Sequence, residues 1–367
     1  MLMRATLSLS LLLARKIIRS FCLWLWLVAF ASAASAQTSR AASAASYLER
    51  GNEWMAKGEL DRAIADYDIA ITFDARIPVA FYNRGLARKR KGDLDRALSD
   101  FDRAIELNPR FADAYFNRGA IRYGRGQYEA AINDFSCFIE INPQDTRAWT
   151  NRGIARGDLG DLTAAITDYD QAIKLDSRNV TAWNNRCGLR YRMDALDAAI
   201  ADCSRAIKLD ARVADAWANR GLARREKGVL DGALSDFNSA IGLDPQRADF
   251  YSTRGGVWLL KGETERALSD VNHALALNPK LVEAWIYRGA AWFTTRDYTR
   301  AIADYDEALK LNPRLADVYV NRGVAWLMQD GLAEAEADFA RCRELGGKLK
   351  PEAERLWREE RQKRAPK

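Results

Sequence analysis

Residues 112–145 read ADAYFNRGAIRYGRGQYEAAINDFSCFIEINPQD, and residues 146–179 read TRAWTNRGIARGDLGDLTAAITDYDQAIKLDSRN. Set one above the other, they align without a gap: Arg118 over Arg152, Gly119 over Gly153, Ala131 over Ala165, Asp134 over Asp168. The same 34-residue step runs outward in both directions, through Arg50, Arg84, Arg118, Arg152, Arg186, Arg220, Arg254, Arg288 and Arg322. It also carries aspartate, from Asp66 and Asp100 to Asp338, and alanine, from Ala63 to Ala335. A fixed period of this size marks a solenoid, in which each unit buries its apolar face only by stacking on its neighbours. Nine units, starting at 44, 78, 112, 146, 180, 214, 248, 282 and 316, fill residues 44–349 as one array. That overrides the two or three domains that 367 residues would suggest by length alone.

Each unit divides into two helical patterns. The first carries an aromatic and, three residues later, the Arg and then a Gly, as in Phe81, Arg84 and Gly85. The second carries apolar residues spaced by three and four, such as Ala97, Leu98, Phe101, Ala104 and Ile105. Gly58, Gly92, Gly126, Gly160, Gly228 and Gly262 fall between the two helices, where a left-handed residue ends a helix at little cost. Asn108-Pro109, Asn142-Pro143, Asn278-Pro279 and Asn312-Pro313 stop the second helix, because proline drives its predecessor out of the helical region. The first-helix aromatic slot holds Tyr47, Phe81, Tyr115, Trp149, Trp183, Trp217, Tyr251, Trp285 and Tyr319. The small Gly and Ala slots are expected to face it, so that the two helices approach closely.

With these slots placed, the chain resembles the tetratricopeptide repeat family. The aromatic, Gly, Ala, second aromatic (Tyr67, Phe101, Phe135, Tyr169, Phe237), Ala and Pro slots match that pattern over about five-sixths of the chain. The resemblance implies an all-α fold, a right-handed superhelical α-solenoid of antiparallel helix pairs, with first helices lining a concave groove for a peptide or protein segment. One departure is systematic: Arg stands in every unit where the family usually has Leu. That slot lies three residues from the aromatic, on the packing face. A buried charge needs a partner. The expected partner is the repeating Asp, so Arg84, Arg118, Arg152, Arg186 and Arg220 with Asp100, Asp134, Asp168, Asp202 and Asp236 form a structural ladder. A second Arg, at 88, 122, 156, 190 and 224, gives way to Trp54, Trp258, Trp292 and Trp326 in the other units; a packing difference is the preferred reading. The Asp-x-Asp triplets (Asp66/Asp68, Asp100/Asp102, Asp168/Asp170, Asp304/Asp306) are read as repeat slots, since residues two apart on a helix face different ways.

The residue before the Arg is turned about 100° from the packing stripe. It is Asn83, Asn117, Asn151, Asn185 and Asn219 in five successive units. Such amides can donate to and accept from an extended peptide backbone, or each can bond to the neighbouring unit. The resemblance places them on the concave face, with Tyr82, Phe116, Tyr123, Tyr191, Lys89 and Arg225 as further peptide-binding candidates. The family's clamp for a C-terminal carboxylate needs another Asn three residues later. This chain has Leu86, Ala120, Ile154, Gly188 and Leu222 there, so a chaperone C-terminus is not the expected ligand.

Unit five is unusual. Cys187 takes the close-contact Gly slot and Cys203 the second aromatic slot, either as compensating volumes or as a pair within disulfide reach. The array ends with a capping helix and basic tail (350–367), where Leu349, Ala353, Leu356 and Trp357 form an apolar stripe over unit nine. Glu336, in place of the usual aliphatic residue, is expected where the solenoid meets water.

The first 36 residues read as a secretory signal peptide: basic residues to Arg19, an apolar run from Phe21 to Ala31, then Ala34 and Ala36 as a small-x-small cleavage site. An uncleaved membrane anchor is the alternative. Residues 37–43 are an Ala/Ser-rich lead-in, expected to be loose. The formal charge is +6, but without the four bases of this leader the balance is 52 basic to 50 acidic residues, with both signs alternating along each unit. A nucleic-acid partner would require a basic surface and is set aside. With a single histidine, His273, and no metal or phosphate-loop spacing, neither a metal, a cofactor nor an enzyme is expected. The leading reading is an exported, periplasmic protein-interaction scaffold; the alternatives are a substrate-recruiting subunit of a separate envelope enzyme, a chaperone for exported chains, or a glycan-binding role.

Overall fold

A sequence unit whose two helices lie within one unit of the structure folds as a helical hairpin, because its two apolar stripes can be buried only against each other and the next copy. The computed structural model describes Phe30 and residues 37–363; the rest of the expected leader and the last four residues of the basic tail lie outside the described residues. The described residues hold no strand. The first unit of the structure ends at Asp161 and the second begins at Leu162. The first contains α1 (37–57), α2 (Leu60–Phe73), α3 (Pro78–Lys91), α4 (Leu94–Leu107), α5 (Ala112–Gly124), α6 (Tyr128–Ile141) and α7 (Thr146–Leu159). The second contains α8 (Leu162–Leu175), α9 (Val180–Arg192), α10 (Leu196–Leu209), α11 (Ala214–Glu226), α12 (Leu230–Leu243), α13 (Ala248–Leu260), α14 (Thr264–Leu277), α15 (Val282–Thr294), α16 (Tyr298–Leu311), α17 (Ala316–Leu327), α18 (Leu332–Glu344) and α19 (Pro351–Lys363). Residues 37–43, expected to be loose, are helical and belong to α1.

Local chemistry sets the helix ends. The left-handed residue within a hairpin is Gly92 (φ 84°) or Gly160 (φ 95°) where glycine is present, and Asp194, Arg296 and Asp330 where it is not. After the second helix, an Asn or Asp side chain accepts the N–H two residues on: Asn108 from Arg110 and Asn278 from Lys280, both at 3.0 Å. This turn ends the helix even where no proline follows, as at Asp210, which accepts from Arg212.

The close-contact Gly meets a different ring from the one expected. A Cβ on Gly85 would lie 2.8 Å from Phe101, and one on Gly323 would lie 2.6 Å from Phe339, both rings of the second helix. The first-helix aromatic stands one turn before the Gly on the same helix and points the same way, so the ring filling the gap must come across from the partner helix.

Within each unit of the structure, first helices of neighbouring hairpins approach each other: α5 with α7, and α9, α11, α13, α15 and α17 in succession. No two second helices of neighbouring hairpins come comparably close among the described residues. First helices therefore form the inner face. At the C-terminal end, Ala353, Leu356 and Trp357 of α19 pack with Phe339 and Val320. Glu336 does not simply meet water, as the sequence reading expected. It accepts from Trp357 Nε1 at 3.2 Å and pairs with Arg361 at 3.1 Å, fixing the cap that replaces a tenth hairpin. No helix among the described residues is long and apolar enough to cross a membrane.

Candidate functional site

The repeating arginine is held from three sides. Its guanidinium stacks on the aromatic three residues earlier in all nine hairpins, from Arg186 over Trp183 at 4.6 Å to Arg254 over Tyr251 at 5.6 Å. Where both helices of a hairpin lie within one unit of the structure, Nε and Nη2 reach the aspartate 16 residues later, a two-pronged carboxylate contact that lysine could not make. Arg118 to Asp134 (2.6 Å) and Arg220 to Asp236 (2.7 Å) show the geometry. From Arg84 onward the remaining nitrogen, Nη1, crosses to the residue 16 positions earlier, on the second helix of the preceding hairpin. Arg84 reaches Asp68 (2.5 Å), Arg118 reaches Asp102 (2.6 Å), Arg152 reaches Ser136 (2.9 Å) and Arg186 reaches Asp170. In the Asp66/Asp68, Asp100/Asp102 and Asp304/Asp306 triplets both acids are therefore used, by different arginines: the first by its own hairpin and the second by the next. Asp168 is also buried.

The second arginine joins the same aspartate. Arg88 donates to Asp100 (2.8 Å), Arg122 to Asp134 (2.9 Å), Arg190 to Asp202 (2.7 Å) and Arg224 to Asp236 (2.8 Å). This is ion pairing, where the sequence reading preferred a packing difference. In three of the four Trp hairpins the indole stacks instead under an arginine eight residues on: Arg62 over Trp54, Arg266 over Trp258 and Arg300 over Trp292, each at 4.8 Å. The Arg50 contact holds the Asp66 carboxyl below its ordinary value, against the opposing effect of burial. At the far end, burial pushes Asp338 up despite Arg322, with nearby Asp306 adding to the rise.

The eleven candidate peptide-binding residues all lie on first helices and are all half-buried. Several meet one another. Lys89 Nζ donates to Asn117 Oδ1 (2.9 Å), and Asn117 Nδ2 donates to the Tyr82 hydroxyl (3.2 Å) and the Asp113 carbonyl (2.9 Å). Burial lowers the Lys89 ammonium and pushes the Tyr82 phenol up to about 12. Asn83 donates to Asn52 (2.8 Å), Asn151 to the Arg147 carbonyl (2.8 Å), and Asn219 to Asn184 (3.3 Å), which itself donates to Asn185 (3.4 Å). Phe116 packs on Phe135 and Phe138 beneath the Arg147 guanidinium. Tyr123 donates to Asp158 (2.6 Å), and Tyr191 packs beside Cys187 and Cys203. Much of the amide row therefore ties neighbouring hairpins together.

Arg225 donates to Glu226 (2.6 Å) and, two hairpins away, to the Tyr287 hydroxyl (3.2 Å). The Tyr287 ring lies over Gly256, where a Cβ would meet it at 2.8 Å. Tyr287 was not singled out from sequence. Its signal is the 35-residue register linking Asn117 to Tyr82 and Asn219 to Asn184. The same step from Tyr287 lands on Ser252, whose buried hydroxyl has no hydrogen-bond partner among the described residues, while the longer tyrosine reaches Arg225 instead. Cys187 and Cys203 form a disulfide with Cα atoms 5.4 Å apart, joining the two helices of the fifth hairpin. Among the described residues, no three His, Cys, Asp or Glu side chains group as a metal site.

Comparison with known proteins fits this geometry. Family descriptions reading "Tetratricopeptide repeat" match residues 90–148, 189–248 and 282–315, and "TPR repeat" matches 157–194. No curated protein sequence matches the chain. Among solved structures, the APC/C hetero-tetramer Cut9-Hcn1 is similar at 16% identity and TM-score 0.60, over 86% of this chain and 76% of that one. Yeast Tom70 is 14% identical over 87% of this chain and 96% of that one, TM-score 0.45. MamA is 22% identical over 47% of this chain and 94% of that one, TM-score 0.43.

Proposed function

The chain is a tetratricopeptide repeat protein, and from that premise we propose that it is an exported, non-enzymatic scaffold that holds a segment of another protein on its first-helix face. One observation carries the reading: the inner face varies while the core repeats. The slot two residues before the ladder arginine is half-buried at Leu48, Tyr82, Phe116, Asn184 and Ile286, with no residue type used twice, and buried at Thr150, Ala218, Ser252 and Val320. Five residues after that arginine stand Met55, Lys89, Tyr123, Gly157, Tyr191, Arg225, Leu259, Phe293 and Leu327. A face serving only to stack identical hairpins would repeat as the ladder does; one that reads a particular partner presents different chemistry at each step. Cut9-Hcn1, similar in fold, is itself an assembly of several chains, consistent with this use.

Export fits the apolar leader and the Cys187–Cys203 bond, since disulfides persist in oxidising compartments such as the bacterial periplasm. The test places a photo-crosslinking side chain at Asn151 or Asn185 on the inner face, and at Glu106 on a second helix, in the native cell. The expected result is one defined partner captured from the inner positions only. Equal capture from Glu106, or a mature protein beginning at Met1 with four reduced thiols besides Cys22, would sink the scaffold and export readings respectively.

A further inference from the structure

The inner face is not filled evenly. Between α15, α17 and α19 lies a cavity of about 460 Å³. Phe293, Val320, Val324 and Leu356 give it apolar walls, and Phe293 and Val320 come from the varying inner-face slots. Asn321 lines it too. This is the amide-row position of hairpin nine, yet unlike Asn83, Asn117, Asn151, Asn185 and Asn219 its side chain makes no hydrogen bond among the described residues. Lys350 and Arg355 stand at the rim with a single acid, Glu352. Lys350 has no ion-pair partner among the described residues, and Arg355 is held only loosely, 3.8 Å from Glu359 of its own helix.

A cavity of this size with apolar walls and few polar groups is suited to a side chain, with the polar groups fixing orientation. We propose that it is the subsite where a bound peptide inserts an apolar side chain next to a carboxylate. Asn321 would pair with the peptide backbone, and Lys350 and Arg355 with the carboxylate. The occupant is a partner's extended acidic-apolar segment, because the rim carries two cations to one anion and the unpaired amide can both donate and accept. This rests on the inner-face reading above and adds the position and chemistry of the anchor.

The test uses the full chain and a fluorescein-labelled peptide, Gly-Ser-Leu-Asp-Ser-Gly amide, followed by anisotropy. Replacing its Leu by Ala should weaken binding roughly tenfold or more, as expected for one buried aliphatic side chain. Asn321→Ala should weaken it about three- to tenfold, the worth of one hydrogen bond. Val324→Trp should fill the cavity and abolish binding, while Glu140→Ala on α6 leaves it unchanged. The Lys350→Glu, Arg355→Glu pair should reverse the preference towards a Leu-Lys peptide; these rim positions keep the test decisive if Val324→Trp fails to fold. Equal binding of the Leu and Ala peptides, or native affinity in a folded Val324→Trp protein, overturns the subsite. If crosslinking from Asn151 still captures a partner in that case, only this inference fails; if the probe binds but no inner position captures a partner, the broader reading fails instead.

Discussion

Hairpins carrying Arg88, Arg122 or Arg190 differ from those carrying Trp258 or Trp292 at one slot, and the whole rung changes with it. In the first group, two arginines face two aspartates: Arg84 and Arg88 with Asp68 and Asp100, Arg118 and Arg122 with Asp102 and Asp134, Arg186 and Arg190 with Asp170 and Asp202. In the second, one arginine faces one aspartate, and the cross-hairpin acceptor becomes a neutral amide: Arg254 with Asp270 and Asn238, Arg288 with Asp304 and Asn272. Where a cation is lost, an anion is lost with it. Half-buried charge is tolerated only when locally neutralised. Among the rungs that lie within one unit of the structure, two break the balance. Arg220 and Arg224 face Asp236 and Ser204, while Arg322 alone faces Asp306 and Asp338. The second is where a carboxyl is pushed above its ordinary range.

The sharpest way to break this comparison is Arg254→Leu. It strands Asp270 without a cation, and we expect a loss of about 3–5 kcal/mol in chemical unfolding. Next comes reduction of Cys187–Cys203, which opens a loop of 16 residues and should cost about 3 kcal/mol in the fifth hairpin; an unchanged midpoint with reductant would contradict it. Arg118→Leu should cost less than Arg254→Leu, about 1–3 kcal/mol, because Arg122 still donates to Asp134. The double variant with Arg122→Leu should lose more than the two single losses combined, and simple additivity would show that the second arginine is not a substitute. The smallest effect is at the last rung. Asp306→Asn copies the neutral acceptor of the Trp258 and Trp292 hairpins and should stabilise by up to about 1 kcal/mol.

Acid should act in opposite directions at the two ends. Asp66 is held below its unfolded value of 3.8, so its contribution is present above that pH and lost as pH falls through its folded value. Asp338 is held above 3.8, so the folded state binds its proton first and that rung gains stability as pH falls through the raised value. Hydrogen exchange of α2 and α18 at descending pH reads each end separately. Asp306→Asn should shrink the gain at α18, and exchange that weakens equally at both ends would refute the assignment.

The hairpin, its turns and the pairing of Arg with an Asp were legible because each depends on spacing that recurs. Asn108 stops a helix with its own side chain, and Gly85 must leave room for a ring; both are local facts. Two things were not legible. The ring over Gly85 belongs to Phe101 and not to Phe81, since i and i+4 on one helix share a face and cannot fill each other's gap. Which of the two readings of the amide row holds at each step was not legible either: Asn83, Asn117 and Asn219 link neighbouring hairpins while Asn151 bonds within its own helix, because a side chain's surroundings at a stacked interface depend on how near the next copy comes.

Sequence alone determined the repeat, the helix pair and the need for a counter-charge, since period and composition are properties of the chain itself. Tertiary structure alone decided which carboxylates each guanidinium meets. Its fork reaches 16 residues forward within one hairpin and 16 back into another, a choice set by the distance between stacked helices, which a linear pattern does not encode.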